Sequence, residues 1–511
     1  MGKCSTWRGF ERLKQKKIGI QTDIVITRAD KEKFIISPAG LFRVHFDTST
    51  TNAPALLTPD GLRIPNSHNE YADSVAKIFD EVYSIEIEEF GYPAPAKDGI
   101  RGGGNEYDIY IENLNGTAGE YGGTDWDDDT LLTPDKENPQ YPAYITIDND
   151  FQESGYYTKG LDAVRVTAAH EFHHMIEVST SGIWWSDFYF YEMSATSMES
   201  TVYPEIKDYI QYIKTFFNRT EIWPLFIQTE KSGYERAIFT KFLMEKFGSS
   251  TMNYIWTAMK SKRPIPALQN ALEVYSTTLQ REFSDFSIWA FYTNVRTDSV
   301  KYFKDAKLFP PLKYYLEENA TSSLQTFNAS MKSFTLHYFR IYHGLYDSSF
   351  IILANTNYDD AVNELNQDFM YEFRYSTNSF NGLQELRPNF FAQFSSIPQS
   401  ELQFWKYTPI TSQGPYVPSE FACFPNPFDP TKSPIIFNAP VAIKNSTELY
   451  IYTSSMDLIY SGSIQTTPFS GRQFAAWNGR DNNGNLVSSG IYFYYLTDQK
   501  STIRGKFAVI R

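Results

Sequence analysis

The chain has 511 residues, which is too long for a single hydrophobic core and favours two to four domains. Its composition, with 42% hydrophobic, 17% aromatic and 21% charged residues, is that of an ordered globular protein and excludes wholesale disorder. The net charge of -14 argues against nucleic acid and anionic membranes as partners, and no apolar run predicts a membrane span.

The sequence contains two cysteines, Cys4 and Cys423. So few thiols exclude a disulfide scaffold, and on the same ground we expect no cysteine-ligated metal site. Whether the two cysteines pair is left open by the sequence. Residues 1–40 carry no informative pattern and fit either a leader or the first strand of a domain.

A long helix is predicted after a short strand at 43–47. Asn69 is its expected N-cap, and Gly91 is expected to end it. The apolar residues that define the helix recur at helical spacing: Tyr71, Val75, Ile78, Val82 and Ile85.

Two alternating segments, 107–111 and 144–148, predict strands on either side of a loop rich in Gly and Asp. The acidic run 125–129 in this loop suggests calcium, but it lacks the Gly and Glu that an EF-hand loop needs. We interpret it as a solvated loop and keep structural Ca²⁺ as an alternative.

The segment 168–177 contains His170, Glu171 and His174 in the order H-E-x-x-H, a zinc-hydrolase signature. On a helix the two histidines lie about 40° apart on one face, with Glu171 beside them. Two imidazoles can then bind one zinc ion while the carboxylate reaches its bound water. His173 falls on the wrong flank to share this metal.

A catalytic zinc ion usually has three protein ligands, so a third must come from elsewhere in the chain. Glu192, on a helix predicted at 188–202, is the expected third ligand, and Glu199 is the runner-up. The two lie on one face of that helix about 10.5 Å apart, so only one of them can bind the ion. Tyr234 is a candidate donor to the oxyanion of the reaction.

A helical pattern continues after these residues and includes a helix at 233–247. Pro310–Pro311 and the polar run 317–323 mark a boundary, after which short apolar runs are typical of a β-sandwich. The segment 412–419 is a linker by composition, and a second strand-rich module follows it.

Residues 40–260 resemble gluzincins, and more narrowly bacterial secreted metalloproteases in which an H-E-F-x-H helix precedes an E-x-x-A-x-x-x-E helix. His170 to His174 and Glu192 carry this resemblance. It implies a zincin fold and a zinc site completed by a downstream Glu. The chain departs from thermolysin-type enzymes at Thr196, where those enzymes place an Asp that orients a histidine.

The end of the chain resembles a second family, the immunoglobulin-like C-terminal module of the flagellar hook-capping type, which is similar to type IX secretion sorting domains. This resemblance implies export from a bacterial cell and an extracellular or cell-surface location. It is carried by four motifs in the segments 424–430, 477–484, 489–494 and 506–511.

These patterns predict an α+β protein with three parts. A zincin-like metallopeptidase domain at 1–316 has a mixed sheet and the active-site helix, with a helical subdomain from about 186. A β-sandwich domain follows at 317–411, and an immunoglobulin-like secretion module at 418–511.

The expected function is that of a secreted zinc-dependent endopeptidase that hydrolyses protein or peptide substrates with Glu171 as general base. The C-terminal module is expected to contact the cell surface or the secretion machinery. The alternative is a catalytically idle cell-surface binding or adhesion protein on a zincin scaffold. The intact Glu171 argues against that alternative, because a scaffold gains nothing from this carboxylate.

Overall fold

The computed structural model divides the chain into two compact units. One unit consists of Met1–Arg219 and Leu225–Lys313, and the other of Thr220–Pro224 and Tyr314–Arg511. The residues that the structure describes are 3–19, 28–115, 119–222, 225–226, 233–319, 324–342, 348–356, 368–376, 390–397, 403–407, 423–424, 426–431, 434–439, 446–469, 472–497 and 502–511.

The first unit contains a mixed sheet and a large helical region. Its strands are β1 (Lys33–Ile36), β2 (Phe42–Phe46), β3 (Tyr107–Glu112), β4 (Gly122–Asp125) and β5 (Tyr144–Asp148). Its α-helices are α1 (Trp7–Lys17), α2 (His68–Tyr83), α3 (Gly160–Ile176), α4 (Phe188–Val202), α5 (Ile210–Asn218), α6 (Ala237–Phe247), α7 (Ser250–Met259), α8 (Pro264–Glu273) and α9 (Leu279–Phe291).

The sheet has the strand order β1-β2-β3-β5-β4. The central strands β2, β3 and β5 are parallel, while β1 and β4 pair antiparallel with their neighbours at the two edges. Central parallel strands are covered on both faces, which is why β2 is buried at all of its positions. The edge strand β4 lies next to the helix that carries the histidines.

Helices α2 and α3 pack on this sheet through aromatic side chains. The ring of Phe42 in β2 lies 5.4 Å from that of Phe79 in α2 and 5.7 Å from that of Phe172 in α3. The predicted apolar stripe of α2 is buried at Tyr71, Val75, Ile78 and Val82.

The predicted cap of α2 is wrong. The helix begins at His68, so Ser67 holds the N-cap position and Asn69 lies inside the first turn. At the other end the chain continues into a π-helical turn, Ser84–Glu89, before Gly91 adopts a φ of 75°. The spacing of apolar residues located the helix but could not resolve its boundary to a single residue.

Residues 1–40 contain the first strand, β1, which was one of the two alternatives predicted, but they also contain a helix that was not expected. The loop predicted before β5 likewise contains a strand. Residues 7–17 form helix α1, and its Phe10 packs 4.8 Å from the rings of both Phe188 and Tyr191 in α4. The segment predicted as a loop contains β4, whose Gly122 and Gly123 have a low intrinsic strand preference but permit close backbone approach.

The acidic run 125–129 is not a simple solvated loop. Arg12 pairs with Asp125 at 2.9 Å, Arg28 pairs with Asp127 at 2.9 Å, and Arg101 pairs with Asp129 at 2.8 Å. These arginines neutralise the carboxylates and compete with a cation for their oxygens. The calcium alternative gains no support at this loop.

The second unit is built of strands. Its described residues form three sheets with the orders β10-β7, β12-β11-β9-β8-β6 and β13-β14-β17-β16-β15-β18-β19. The strands are β6 (Leu316–Asn319), β7 (Leu324–Lys332), β8 (Leu336–Tyr342), β9 (Ser348–Asn355), β10 (Asp368–Ser376), β11 (Phe390–Ile397), β12 (Gln403–Tyr407), β13 (Cys423–Phe424), β14 (Ile435–Ala439), β15 (Ser446–Thr453), β16 (Leu458–Phe469), β17 (Arg472–Trp477), β18 (Gly490–Thr497) and β19 (Thr502–Val509).

The last sheet is antiparallel and curls into a half-barrel of six strands, with the short β13 at one edge. Its core is organised around Trp477, whose ring lies 6.2 Å from Phe428 and 6.0 Å from Phe507. Tyr492 lies 5.7 Å from Phe507, so all four motifs noted in the sequence meet in one core.

The protein is thus α+β, with a mixed sheet and a helical region followed by strands that pair antiparallel except for β6 and β8. The division into domains at 317–411 and 418–511 stays a prediction, and the whole of the proposed linker 412–419 lies outside the described residues. In the part of the chain that the structure describes, none of the helices has the length and apolar character needed to cross a bilayer.

Candidate metal centre

Helix α3 brings the histidines into the core of the first unit. Its apolar side chains Val164, Ala168, Phe172 and Met175 are buried. The opposite face is buried as well, because every residue from Val166 to Ile176 has little exposed surface. The histidines are therefore covered by other parts of the unit rather than open to solvent.

Four buried side chains converge on one point. The metal-binding atoms of Cys4, His170, His174 and Glu192 all lie within 4.8 Å of one another. One Glu192 oxygen is 3.2 Å from His170 Nε2, and the other is 3.6 Å from His174 Nε2. Two ligands of one tetrahedral zinc ion, each about 2.0–2.1 Å from it, are about 3.3 Å apart. The spacing fits a shared ion, and we call these four residues the ligand group.

The hydrogen bonding of the ligand group also fits a metal. His170 Nε2, His174 Nε2 and both carboxylate oxygens of Glu192 are buried and make no hydrogen bond of good geometry with the described residues. A buried polar atom without a partner costs about 1–3 kcal/mol, so four together need a common partner. Nitrogen, oxygen and sulfur donors in this combination suit zinc.

The presence of Cys4 corrects our expectation that no cysteine belongs to a metal site. Few cysteines exclude a site made of cysteines, but they do not exclude one thiol in a mixed set. Cys4 and Cys423 are both buried free thiols and therefore do not pair with each other.

The Nδ1 atoms of His170 and His174, which point away from the ligand group, each contact a carboxylate. His170 Nδ1 lies 2.8 Å from Glu199 Oε1, and His174 Nδ1 lies 2.7 Å from Glu177 Oε2. A carboxylate that accepts the Nδ1 proton fixes the tautomer and leaves Nε2 free to bind a metal. Glu199, the runner-up ligand, is therefore placed behind His170 and outside the ligand group.

This arrangement also accounts for the departure at Thr196. The carboxylate that orients a histidine from α4 is Glu199, one turn further along the helix. The carboxylate of Glu177 comes from the π-helical turn Glu177–Ser181 that extends α3. Sequence reasoning missed Glu177, although a carboxylate three residues after His174 was a usable signal.

His173 is engaged away from the ligand group. Its Nδ1 lies 2.8 Å from Glu86 Oε2, and its Nε2 lies 2.8 Å from Ser194 Oγ. Burial raises the pKa of Glu86 well above its usual range.

Glu171 lies beside the ligand group and points toward β4. Thr124 Oγ1 donates to Glu171 Oε2 at 2.9 Å, and Thr6 Oγ1 donates to the same oxygen at 3.3 Å. Cys4 Sγ is 3.5 Å from that oxygen. The carboxylate is thus adjacent to the convergence point without belonging to it.

Tyr234 reaches the same place from a 3₁₀ turn before α6. Its ring stacks near His170 with 6.1 Å between centroids, and its hydroxyl accepts the N–H of Cys4 at 3.0 Å. Burial raises the pKa of Tyr234 well above its usual range, so the phenol stays protonated. A Cβ at Gly233 would lie 2.6 Å from Glu192 Cβ, so glycine allows this turn to approach α4.

Burial and neighbouring charges shift the pKa values of several groups in this site. Burial acts to raise the pKa of Glu192, but the adjacent His170 and His174 outweigh it and lower that pKa to about 2. Burial raises the pKa of Glu177 to about 7, although His174 opposes the shift. Burial, and then the charge of Glu171, raise the pKa of the Cys4 thiol.

A second acidic group, which sequence reasoning missed, consists of Asp148, Asp150 and Glu153. Asp148 accepts the backbone N–H groups of Leu114 and Phe151, and Asp150 pairs with Arg63 at 2.8 Å. These contacts order the turn after β5.

No protein-family model and no curated protein matches the chain. In part it is similar to two solved structures from Porphyromonas gingivalis. One is PorZ, described as an essential bacterial surface component of the type-IX secretion system; it is 13% identical with a TM-score of 0.14, over 36% of this chain and 37% of that chain. The other is dimeric latent PorU, 11% identical with a TM-score of 0.15, over 34% of this chain and 20% of that chain. The chain spans well under half of either structure, and at these TM-scores the likeness carries no argument.

Proposed function

We propose that the protein is a secreted zinc-dependent endopeptidase. The observation that supports this function most directly is the pairing of a buried ligand group with an adjacent carboxylate that is not a ligand. His170, His174 and Glu192 would hold the ion, and Glu171 lies beside them. A site built only to bind metal does not need Glu171.

The residues divide the work of hydrolysis among them. A bound zinc ion supplies a Lewis acid and lowers the pKa of water. Glu171 accepts a proton from the attacking water and returns it to the leaving amine. The hydroxyl of Thr124 fixes the orientation of that carboxylate. Tyr234, kept protonated by its raised pKa, donates to the oxyanion.

Strand β4 supports a peptide as the substrate. It is the edge strand of the sheet, and its Thr124 contacts Glu171 directly. An extended peptide that pairs with an exposed strand edge gains main-chain hydrogen bonds, which favours unfolded protein segments over compact ones. The reaction proposed is therefore cleavage within an extended chain.

Export is proposed from the C-terminal motifs. The resemblance of segments 424–430 and 477–484 to hook-capping and type IX sorting modules supports an immunoglobulin-like secretion module that contacts the cell surface. Phe428 and Trp477 from these segments pack in the core of the half-barrel. We propose an extracellular or cell-surface location on this basis.

A second candidate function is a catalytically idle surface or adhesion protein on the same scaffold. One observation favours it: Cys4 adds a fourth protein donor to the ligand group. Structural zinc sites have four protein ligands, whereas catalytic sites keep a position open. The role of Cys4 therefore distinguishes a structural metal site from a catalytic one.

The test of the proposed function is digestion of an unfolded, carboxymethylated protein by the zinc-loaded chain. It is run on the wild type and on Cys4→Ala, because Cys4 would occupy the open position. We expect Cys4→Ala to cleave internal peptide bonds, to stop on addition of a chelator and to recover with zinc. Zinc-loaded Cys4→Ala that leaves the substrate intact would contradict an endopeptidase.

A further inference from the structure

The segment Lys3–Thr6 contacts every group of the proposed site. Cys4 Sγ belongs to the ligand group, and the N–H of Cys4 donates to the hydroxyl of Tyr234 at 3.0 Å. Thr6 Oγ1 donates to Glu171 at 3.3 Å. One short stretch of chain therefore engages the metal ligands, the general base and the oxyanion donor together.

We infer that the Cys4 thiolate is the fourth ligand of the metal centre and that the Lys3–Thr6 segment holds the site closed to water and substrate. The inference rests on the proposed function for its biological meaning, but the ligation itself can be measured separately.

The surroundings of Cys4 are those of a ligand rather than of a packed thiol. A buried cysteine usually behaves as a small hydrophobe among apolar side chains. Cys4 is 0% exposed, yet its sulfur lies 2.9 Å from Thr6 Oγ1, 3.5 Å from Glu171 and within the ligand group. The unpartnered imidazole nitrogens of His170 and His174 face the same point.

A buried lysine anchors the segment at its first residue. Lys3 Nζ lies 2.8 Å from Glu199 and 2.6 Å from Asp208, and all three side chains are almost fully buried. Glu199 also binds His170 Nδ1. The anchor of the segment and the orientation of a metal ligand therefore share one carboxylate.

Backbone hydrogen bonds align the segment with β4. Cys4 forms a parallel bridge with Gly122, and the N–H of Ser5 donates to Gly122 O at 2.8 Å. The N–H of Thr124 donates to Thr6 Oγ1 at 2.7 Å. The segment thus occupies the strand edge that the proposed peptide substrate needs.

Gly123 of β4 makes this close approach possible. A Cβ at Gly123 would lie 2.0 Å from Ser5 Oγ and 3.4 Å from Ser5 Cα. A larger side chain at Gly123 would push the segment away from the edge. In the wild type, activity requires displacement of the segment, by removal or by competition. Cys4→Ala favours this displacement because it removes the proposed bond between the segment and the metal.

The first measurement needs no variant. X-ray absorption at the zinc edge of the full-length, zinc-loaded wild type should show one sulfur at about 2.3 Å from the metal. The Co²⁺-substituted wild type should show thiolate-to-cobalt charge transfer in the ultraviolet. Cys4→Ala should lose this band and keep one metal equivalent, whereas the matched control Cys423→Ala should keep the band.

Closure is tested with acetohydroxamate, a small metal-binding probe. We expect it to change the visible spectrum of Co²⁺-loaded Cys4→Ala and to bind the wild type at least about tenfold more weakly, because the fourth position is taken there. A wild type without a sulfur ligand would overturn the inference, and so would equal acetohydroxamate affinity in the two proteins. If the spectra follow expectation but neither protein cleaves a substrate, the ligation stands and the proposed peptidase function fails.

Discussion

Substitution of Glu171 distinguishes a peptidase from a protein that only binds metal. The Glu171→Gln variant keeps the shape of the side chain and the bond from Thr124 but cannot accept a proton. We expect it to retain one zinc equivalent and to lose about 10²–10⁴-fold in kcat relative to its parent, measured in the Cys4→Ala background.

Glu86→Gln is the matched control for this substitution. Glu86 is equally buried but binds His173, outside the ligand group, and its raised pKa makes a neutral amide a close replacement. We expect its kcat to stay near that of the parent. Glu171→Gln activity within tenfold of the parent would remove the general-base role.

The two glutamates of α4 should respond differently in a metal-binding assay. Glu192→Ala removes a carboxylate that faces both imidazoles, so we expect a sharp loss of bound zinc after dialysis. Glu199→Gln leaves the ligand group intact but removes the charge behind His170, which is also a partner of Lys3, and comparable changes weaken metal affinity by about 10- to 100-fold. Competition with a chelator of known affinity measures both. A full zinc equivalent bound by Glu192→Ala would show that Glu192 is not a ligand.

The residues of the candidate site that the sequence predicted belong to local patterns, whereas Glu177 and Cys4 were missed. His170, Glu171 and His174 follow from helical spacing, and Glu192 follows from a second helix. Cys4 lies in a segment without a motif, and the fold alone brings it to α3. A count of cysteines could not reveal a single thiol in a mixed ligand set.

Among the elements, helices α3 and α4 were predictable because their apolar residues repeat at helical spacing. Strand β4 was not, because Gly122 and Gly123 have the composition of a loop. Its strand geometry comes from hydrogen bonds to β5 on one side and to Ser5 on the other. Tertiary pairing overrode local preference there.

The contribution of Lys3 to holding the Lys3–Thr6 segment in place can be measured through its ion pairs. Lys3→Met keeps the aliphatic stem but leaves Glu199 and Asp208 buried without their cation, which costs about 3–5 kcal/mol in comparable pairs. We expect a drop of this order in the free energy of unfolding, measured with denaturant, and tighter acetohydroxamate binding.

Lys77→Met is the control, since Lys77 forms an exposed pair with Asp73 that should be worth less than about 1 kcal/mol. Equal effects of Lys3→Met and Lys77→Met would show that Lys3 does not anchor the segment.

For the whole molecule, the candidate site lies entirely in the first compact unit. We therefore expect a chain truncated near Gly414 to keep its zinc and, with Cys4→Ala, its peptidase activity. A cut at residue 313 is a poorer choice. It would leave Thr220–Pro224, which belong to the second unit, without Leu336, whose N–H donates to Thr220 O.

Zinc content and hydrolysis of the unfolded substrate are measured on the truncated chain, with Glu171→Gln as its inactive control. A truncated protein that holds zinc but is inactive would show that the predicted division of domains is wrong.

The Lys3–Thr6 segment, which bridges to Gly122 through Cys4, belongs to the same chain as the site that it covers. The segment is therefore present at a high effective concentration that dilution does not change. Any ligand that needs the open site binds only the fraction of molecules in which the segment has left, so its apparent Kd rises by the inverse of that fraction. This factor depends only on the chain and is therefore the same for every ligand that needs the open site. Acetohydroxamate and a peptide hydroxamate should thus show the same ratio of Kd between wild type and Cys4→Ala. Ratios more than about threefold apart would mean that the two ligands do not require the same displacement of the segment.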